Sequence, residues 1–211
     1  MQPQYILDKF GTWAFVAVMV ILFVECGLFL FFLPGDSLLF VTGLYIAKGA
    51  SGDSGGLHIP LWLACVLLSA AAIAGNVSGY WIGSKAGPAL FHRPDSRLLK
   101  PEYVEQTHAF FEKYGPRAIV LARFVPIVRT FITAMAGVGK MQFRTYLVYT
   151  TIGGILWASG LTILGYFLGN VEFVQKNIEL IAVVIIALSL VPAGVEWWRA
   201  RRARDTDAAT S

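Results

Sequence analysis

Four charged side chains lie within apolar stretches of the chain, where charge is unfavourable. Residues 12–47 carry two carboxylates, and residues 118–139 carry two guanidinium groups. A charge at the depth of a bilayer costs a few kcal/mol or more, so it is retained mainly where it is paired or has a function. We therefore treat these side chains as the candidate functional site. They are Glu25, Asp36, Arg123 and Arg129.

Arg123 and Arg129 have the chemistry of an anion site. A guanidinium stays charged and presents a planar fork of N–H donors that binds phosphate through two hydrogen bonds. Arg129 follows Pro126, where a helix can begin, and a helix N-terminus adds free N–H groups and a dipole that favours an anion. The alternative is structural: the arginines snorkel to the membrane surface or pair with the carboxylates. Snorkelling is a reasonable interpretation for Arg123, near a polar loop, whereas the anion site is favoured for Arg129.

Glu25 and Asp36 are candidates for proton coupling or for ion pairing. Glu25 lies about twelve residues into its apolar stretch, and burial favours the neutral form of a lone carboxyl group. It can therefore carry a proton or serve as a static partner of an arginine. Asp36 directly follows Pro34 and Gly35, where aspartate is a favoured helix cap. We expect it to cap a helix, alongside an ionic role.

Proline and glycine interrupt both apolar stretches. Pro34 and Gly35 divide the first, and Pro126 divides the second. A helix break exposes backbone polar groups, which at membrane depth must be buried in protein or line a polar cavity. We therefore predict that each stretch forms a broken-helix hairpin and that the two hairpins enclose the site. Asn76 and Thr130 are candidate cavity-lining residues, although Asn76 can also serve to bond two helices.

The composition is that of an integral membrane protein. Of the 211 residues, 56% are hydrophobic and 14% are charged, whereas soluble domains have about 25% charged residues. We expect an all-α protein with one membrane domain, residues 1–200, followed by a polar tail, 201–211, that is basic and then acidic. Basic residues are frequent in the loop 84–117 and after the last apolar segment, and the net charge is +4. The positive-inside rule places that loop and the C-terminus in the cytoplasm.

Three further apolar segments are long enough for full spans, at 61–82, 146–168 and 177–195. The last two separate the cytoplasmic loop from the cytoplasmic tail and already give the even number of crossings that this orientation requires. The stretch 118–139 is therefore predicted to be re-entrant, entering and leaving on one side. Residues 101–114 have the pattern of an amphipathic helix on the membrane surface.

The two halves of the chain share a weak sequence repeat. In each half, a broken apolar stretch is followed by a span that ends in Gly-Tyr-x-x-Gly, at 79–83 and at 165–169. One span separates the hairpins, so they are predicted to open to opposite faces, as in transporters built from inverted repeats. Glycines every four residues along the first of these spans are expected to let another helix pack closely. They are Gly75, Gly79, Gly83 and Gly87.

We expect no catalytic residue, no metal site and no cofactor. No histidine lies in an apolar segment and no serine or cysteine stands in a recognisable nucleophile motif, which disfavours an intramembrane lipid phosphatase. The expected partners are a lipid phosphate, membrane lipids and protons, without nucleic acid. Assembly into a homo-oligomer is left open.

Three motifs occur in order along the chain. They are Glu25 with FLPGD at 32–36, GN-x-x-GY-x-x-G at 75–83, and ARFVPIVRTF at 122–131 continuing to Trp157. With them, the chain resembles the DedA family of bacterial inner-membrane proteins, which is related to the VTT-domain proteins. The resemblance covers roughly residues 10–200. It implies two re-entrant hairpins, a place in the bacterial cytoplasmic membrane and transport of a polyprenyl phosphate lipid.

The resemblance also implies roles for the four charged residues. The acidic pair of the family corresponds to Glu25 and Asp36, and its arginine pair to Arg123 and Arg129. Many relatives carry aspartate at the position of Asn76, which argues against a charged role there. The implied function is a flippase that returns undecaprenyl phosphate across the membrane for reuse in cell-wall synthesis, in a step open to proton coupling. The alternatives are a proton-coupled transporter of a small cation or drug and a phospholipid scramblase.

Overall fold

The computed structural model describes residues 3–28, 35–52, 55–91, 114–124, 126–185 and 187. These residues form helices joined by short turns and include no strand. The helices are α1 (Pro3–Leu28), α2 (Gly35–Ala50), α3 (Leu61–Phe91), α4 (Ala118–Leu121), α5 (Pro126–Val138), α6 (Phe143–Gly169) and α7 (Glu172–Lys176). Two 3-10 turns, Gly115–Arg117 and Ala122–Phe124, flank α4.

Three of the helices are long and apolar enough to cross a membrane, at Gly11–Leu28, Leu61–Lys85 and Phe143–Gly169. Their outward faces expose large apolar side chains, including Trp62 and Phe167. Such a surface is unfavourable in water and is stable against lipid. The chain is therefore an all-α integral membrane protein, as its composition predicts.

The predicted spans 61–82 and 146–168 correspond to α3 and α6. Helix α3 continues to Phe91, past Ser84, where we expected a polar loop. The Ser84 hydroxyl donates to the Trp81 carbonyl oxygen at 3.0 Å, so this polar side chain is accommodated without ending the helix. The boundary predicted for this span was therefore too early.

Other predictions fall largely outside the described residues. Of the predicted span 177–195, the structure describes 177–185 and 187; Asn177 is a turn and the other described residues are helical. The predicted surface helix at 101–114, apart from Tyr114, lies outside the described residues, as does the tail 201–211. Those predictions stay predictions.

The two stretches predicted as hairpins are each built from two arms. The first consists of α1, continuous through Leu28, and α2, which begins at Gly35; Pro34 lies outside the described residues. The second consists of α4 with its flanking turns and of α5, which begins at Pro126. Because α1 itself contains a stretch of span length, the re-entrant path of these segments stays a prediction.

The second arm of each half packs against the long helix of the other half. Helix α2 lies on α6, where Gly43 faces Gly165, and α5 lies on α3, where Gly137 faces Tyr80. In both places a Cβ on the glycine would overlap the backbone of the facing helix. These crossed contacts follow the sequence repeat, and they bring the first turns of α2 and α5 towards a common centre.

The predicted close packing along the glycine stripe of α3 is confirmed at Gly75, Gly79 and Gly83, and at Gly87 it stays a prediction. Gly75 lies against Phe23 and Cys26 of α1, and Gly83 lies against Ala134 of α5. A larger side chain at either position would push the neighbouring backbone away. Helix α3 is thus held tightly between the two halves.

Candidate functional site

Arg129 joins two carboxylates that lie 104 and 93 residues away in the sequence. Its Nη1–H donates to Asp36 Oδ1 at 2.6 Å, and its Nη2–H donates to Glu25 Oε1. Arg129 lies in the first turn of α5, Asp36 in the first turn of α2, and Glu25 near the end of α1. The structure thus brings three of the four predicted site residues into one ion-pair cluster.

Exposure decreases across this cluster from one side to the other. The side chain of Asp36 is 58% exposed, that of Arg129 is 22% exposed, and that of Glu25 is only 5% exposed. Water screens a charge at the open side far better than one in a low-dielectric interior. Glu25 is therefore the buried partner of Arg129, and Asp36 lies at the exposed side of the cluster.

The start of α2 holds the Glu25 carboxylate in place. Gly35 is the first residue of this helix, and a Cβ there would overlap the carboxylate oxygens of Glu25. A helix N-terminus carries a partial positive charge that favours such a carboxylate. Asp36 lies inside the first turn, so the prediction that it caps α2 was wrong. The helix already begins at Gly35. The carboxylate of Asp36 accepts hydrogen bonds from Arg129 and Trp157 and does not serve as the helix cap.

Trp157 of α6 completes the cluster, although we did not predict it as a site residue. Its Nε1–H donates to Asp36 Oδ1 at 2.8 Å. The centroid of its ring lies 4.8 Å from Arg129 Cζ and 5.9 Å from Arg123 Cζ, within the range of cation–π contact. The motif that continues to Trp157 was the signal available in the sequence, but an aromatic residue in an apolar span ordinarily indicates packing.

Arg123 is buried in the protein beside this cluster. The residue is 8% exposed. Its Nη2 donates to the carbonyl oxygen of Thr150 at 3.3 Å and to Oγ1 of Thr150 at 3.2 Å. Its Nε is buried without a hydrogen-bond partner among the described residues. The snorkelling interpretation was therefore wrong, because the side chain turns inward against α6.

Arg123 has no carboxylate partner in the part of the chain that the structure describes. Thr150 offers it neutral oxygens only. A buried cation is strongly destabilising unless an anion and further hydrogen bonds compensate its lost hydration. Among the described residues, the charge of the buried Arg123 guanidinium is therefore not compensated by a carboxylate.

One face of α6 is shaped to receive Arg123. Thr150, Gly153 and Trp157 recur at helical spacing, so they lie on the same side of the helix. A Cβ at Gly153 would lie 2.8 Å from Arg123 Nε and 3.0 Å from its Cδ. The absence of a side chain at Gly153 thus makes room for the guanidinium. This role could not be predicted from the sequence, in which Gly153 is one glycine in an apolar span.

This close contact leads to a prediction about stability. Replacing Gly153 by alanine is expected to displace Arg123 and lower the melting temperature, because the new methyl group must push the arginine away. Replacing Gly160 on the same helix is the matched control, since nothing lies within 4 Å of a Cβ there. In a helix interior alanine is favoured over glycine by about 0.5–1 kcal/mol, so Gly160→Ala is expected to be neutral or stabilising. Thermal unfolding that ranks Gly153→Ala at or above Gly160→Ala would contradict this.

The two predicted cavity-lining residues have different outcomes. Asn76 is buried; its Oδ1 accepts from Thr133 Oγ1 at 3.0 Å, and its Nδ2 donates to the Ala72 carbonyl oxygen at 2.6 Å. Its own carbonyl oxygen accepts from the Tyr146 hydroxyl at 2.9 Å. Asn76 therefore bonds α3 to α5 and α6. Thr130 belongs to α5, but its side chain lies outside the described part of the structure, so its role stays a prediction.

Comparison with known proteins places this site within a family. A family model for the VTT domain matches residues 33–167, which include Asp36, both arginines and Trp157. The chain is 42% identical over 199 residues to the Protein DedA of Escherichia coli, covering 94% of this chain and 88% of that protein. The chain belongs to the DedA family of VTT-domain membrane proteins.

Other DedA-family relatives are similar over most of their length. A protein of Mycobacterium tuberculosis named as an uncharacterized membrane protein is 44% identical over 207 residues, covering 97% of this chain and 88% of the relative. The Inner membrane protein YqjA of Escherichia coli is 31% identical over 195 residues, covering 88% and 84%. No solved structure matches the chain at a significant level. These names describe membrane proteins and state no substrate.

Proposed function

We propose that the protein is a transporter that binds the phosphate of a membrane lipid between Arg123 and Arg129 and carries it across the bacterial cytoplasmic membrane. The observation that carries the proposal is the state of Arg123. It is buried, it donates to neutral oxygens, and its Nε has no partner among the described residues. A phosphate group supplies both the missing negative charge and several acceptor oxygens. Its partners are thus the lipid phosphate and the surrounding membrane lipids.

The balance of charge favours a phosphate monoester, such as undecaprenyl phosphate. Without ligand, Glu25 and Asp36 offset the two arginines, so the four side chains have no net charge when all are ionised. If the ligand displaces both carboxylates, the two guanidinium groups face it together, and a monoester can bring close to two negative charges. A diester phospholipid brings one. The apolar tail meanwhile stays in lipid, against the exposed apolar faces of the long helices.

Exchange of partners at Arg129 gives the binding and release steps. Both of its Nη groups are occupied by Asp36 and Glu25, so a phosphate must take the place of at least one carboxylate. Return of the carboxylates then releases the phosphate. A proton on Glu25 removes the more buried competitor, which would couple transport to protons. We propose that the phosphate crosses chemically unchanged and that the C-terminus lies in the cytoplasm.

The alternative cation transporter is less favoured by the same contacts. Glu25 and Asp36 both accept hydrogen bonds from Arg129. A soluble cation would have to compete with a guanidinium that the chain itself holds at these carboxylates. A phosphate, by contrast, would find Arg123 without a charged partner in the described chain.

Direct lipid binding tests the proposal. Purified wild-type protein in nanodiscs is titrated with undecaprenyl phosphate, with undecaprenol as the control that lacks the phosphate. Phosphatidic acid and phosphatidylglycerol with identical acyl chains then separate a monoester from a diester. We expect saturable binding of both monoesters that is lost in Arg123→Met and Arg129→Ala. Equal binding of undecaprenyl phosphate and undecaprenol would refute the phosphate site, and equal transport of monoester and diester lipids in proteoliposomes would favour the scramblase.

Lysine in place of Arg129 is expected to reduce transport of undecaprenyl phosphate by at least about tenfold although the charge is kept. Lysine is a compact point charge that cannot present the planar fork with which Arg129 meets two oxygens on different helices. Transport of a fluorescent undecaprenyl phosphate analogue into proteoliposomes measures this. Arg144→Lys is the matched control, because Arg144 is exposed at the start of α6. Wild-type transport by Arg129→Lys would show that charge alone suffices.

A further inference from the structure

We propose that Trp157 is a positioning residue that holds Arg123 and Arg129 at the spacing needed for one phosphate monoester. This inference rests on the proposed function, because it concerns the geometry of the same phosphate site. It adds a residue that neither binds the phosphate nor carries charge. Its consequence is selectivity between classes of lipid phosphate.

The indole of Trp157 contacts both arginines. Its ring centroid lies 4.8 Å from Arg129 Cζ and 5.9 Å from Arg123 Cζ. The residue itself is only 5% exposed and belongs to an apolar cluster that includes Leu39 and Leu68. A rigid ring fixed in such a core gives both guanidinium groups one common support.

The aromatic contact is compatible with an exchange of anions. A cation–π contact needs the cation near the ring, whereas hydrogen bonds to oxygens use the N–H groups at the edge of the guanidinium. Arg129 makes both kinds of contact at once in this structure. It can therefore pass from carboxylate to phosphate oxygens and keep its contact with Trp157.

Trp157 also retains Asp36 during this exchange. Asp36 Oδ1 accepts both Arg129 Nη1–H at 2.6 Å and Trp157 Nε1–H at 2.8 Å. When Arg129 turns to a phosphate, the indole N–H still holds the carboxylate at the mouth of the site. Asp36 then remains close enough to take the arginine back.

The test separates the ring from its N–H group and from general packing. Phosphatidic acid and phosphatidylglycerol with identical acyl chains are titrated into nanodiscs that hold wild-type protein, Trp157→Phe, Trp157→Leu or Trp157→Met. Trp62→Leu is the matched control, because Trp62 is 68% exposed on the outer face of α3. The readout is the ratio of the two dissociation constants, which does not depend on the fraction of active protein.

We expect Trp157→Leu and Trp157→Met to weaken monoester binding by about tenfold and to bring the ratio close to one. Trp157→Phe, which keeps a ring, is expected to stay within about threefold of wild type, as is Trp62→Leu. The role of the ring would be overturned if Trp157→Leu kept the wild-type ratio of dissociation constants. It would also be overturned if the Phe and Leu variants lost the same amount of monoester affinity. If the wild-type protein binds neither lipid, the proposed function itself fails, which is a distinct result.

Discussion

Replacing Arg123 by methionine is expected to abolish binding of lipid phosphate and, at the same time, to stabilise the protein. Arg123 is buried with neutral partners only. Removal of such a charge relieves its desolvation cost, and methionine fills most of the same space without a polar atom. We expect a gain of about 1–3 kcal/mol in the free energy of unfolding, by analogy with buried charges replaced by apolar side chains. The loss of phosphate affinity is expected to exceed about a hundredfold.

The matched variant Arg129→Met is expected to lose binding as well but to change stability in the opposite direction. Removal of the Arg129 guanidinium leaves the Glu25 carboxylate buried without a cationic partner. Breaking a buried ion pair by removing one partner costs about 3–5 kcal/mol. Thermal unfolding in detergent shows whether each variant is stabilised or destabilised, and titration with undecaprenyl phosphate gives the affinities. A destabilised Arg123→Met protein would show that this guanidinium stabilises the fold and is not held ready for a ligand.

The pairing of distant charges could be predicted from the sequence, and the physical reason is general. An uncompensated charge at membrane depth is so unfavourable that carboxylates in one stretch and arginines in another are expected to meet. Glu25, Asp36 and Arg129 do meet, at the helix starts that Gly35 and Pro126 mark. Charged residues in apolar stretches are rare, and their pairing can be predicted without knowing how the helices pack.

The position of Arg123 could not be predicted in this way. Arg123 lies in a 3-10 turn of three residues that follows the four-residue α4, and these elements are too short for apolar periodicity to determine which way its side chain points. Nearness to a polar loop suggested the surface, whereas contact with Thr150 and Gly153 of α6 turns the side chain inward. Depth in a membrane protein depends on the neighbouring helix, which one segment of sequence does not contain.

Trp157 and Gly153 were missed for a related reason. Aromatic residues and glycines are common in apolar spans, where they ordinarily serve packing. Their role appears only when α6 is placed beside the arginines, since both act through a contact on another helix. The repeat shows the same limit: the Gly-Tyr-x-x-Gly motifs indicated two related halves, but the crossed packing of α2 on α6 and of α5 on α3 became visible only in the fold.

The second large effect is expected at Glu25, where glutamine should tighten phosphate binding by about tenfold while slowing transport. Glutamine keeps the shape of the side chain and an acceptor oxygen for Arg129, but it removes the buried negative charge that competes with the ligand. A phosphate then binds more easily and is released less easily, because only the exposed Asp36 carboxylate can return to the arginine. An exchange mechanism requires this separation of affinity from rate, which simple damage to the site would not produce.

Asp36→Asn provides the internal comparison, since it removes the other competing carboxylate from the same guanidinium. Its side chain is 58% exposed, against 5% for Glu25, so water already screens most of its charge and the gain in affinity is expected to stay below about threefold. Titration of the Glu25→Gln, Asp36→Asn and wild-type proteins with undecaprenyl phosphate gives the order of affinity, and release from preloaded proteoliposomes gives the rates. If Glu25→Gln binds more weakly than wild type, Glu25 supports the phosphate site and does not compete with the ligand, and release must depend on another group.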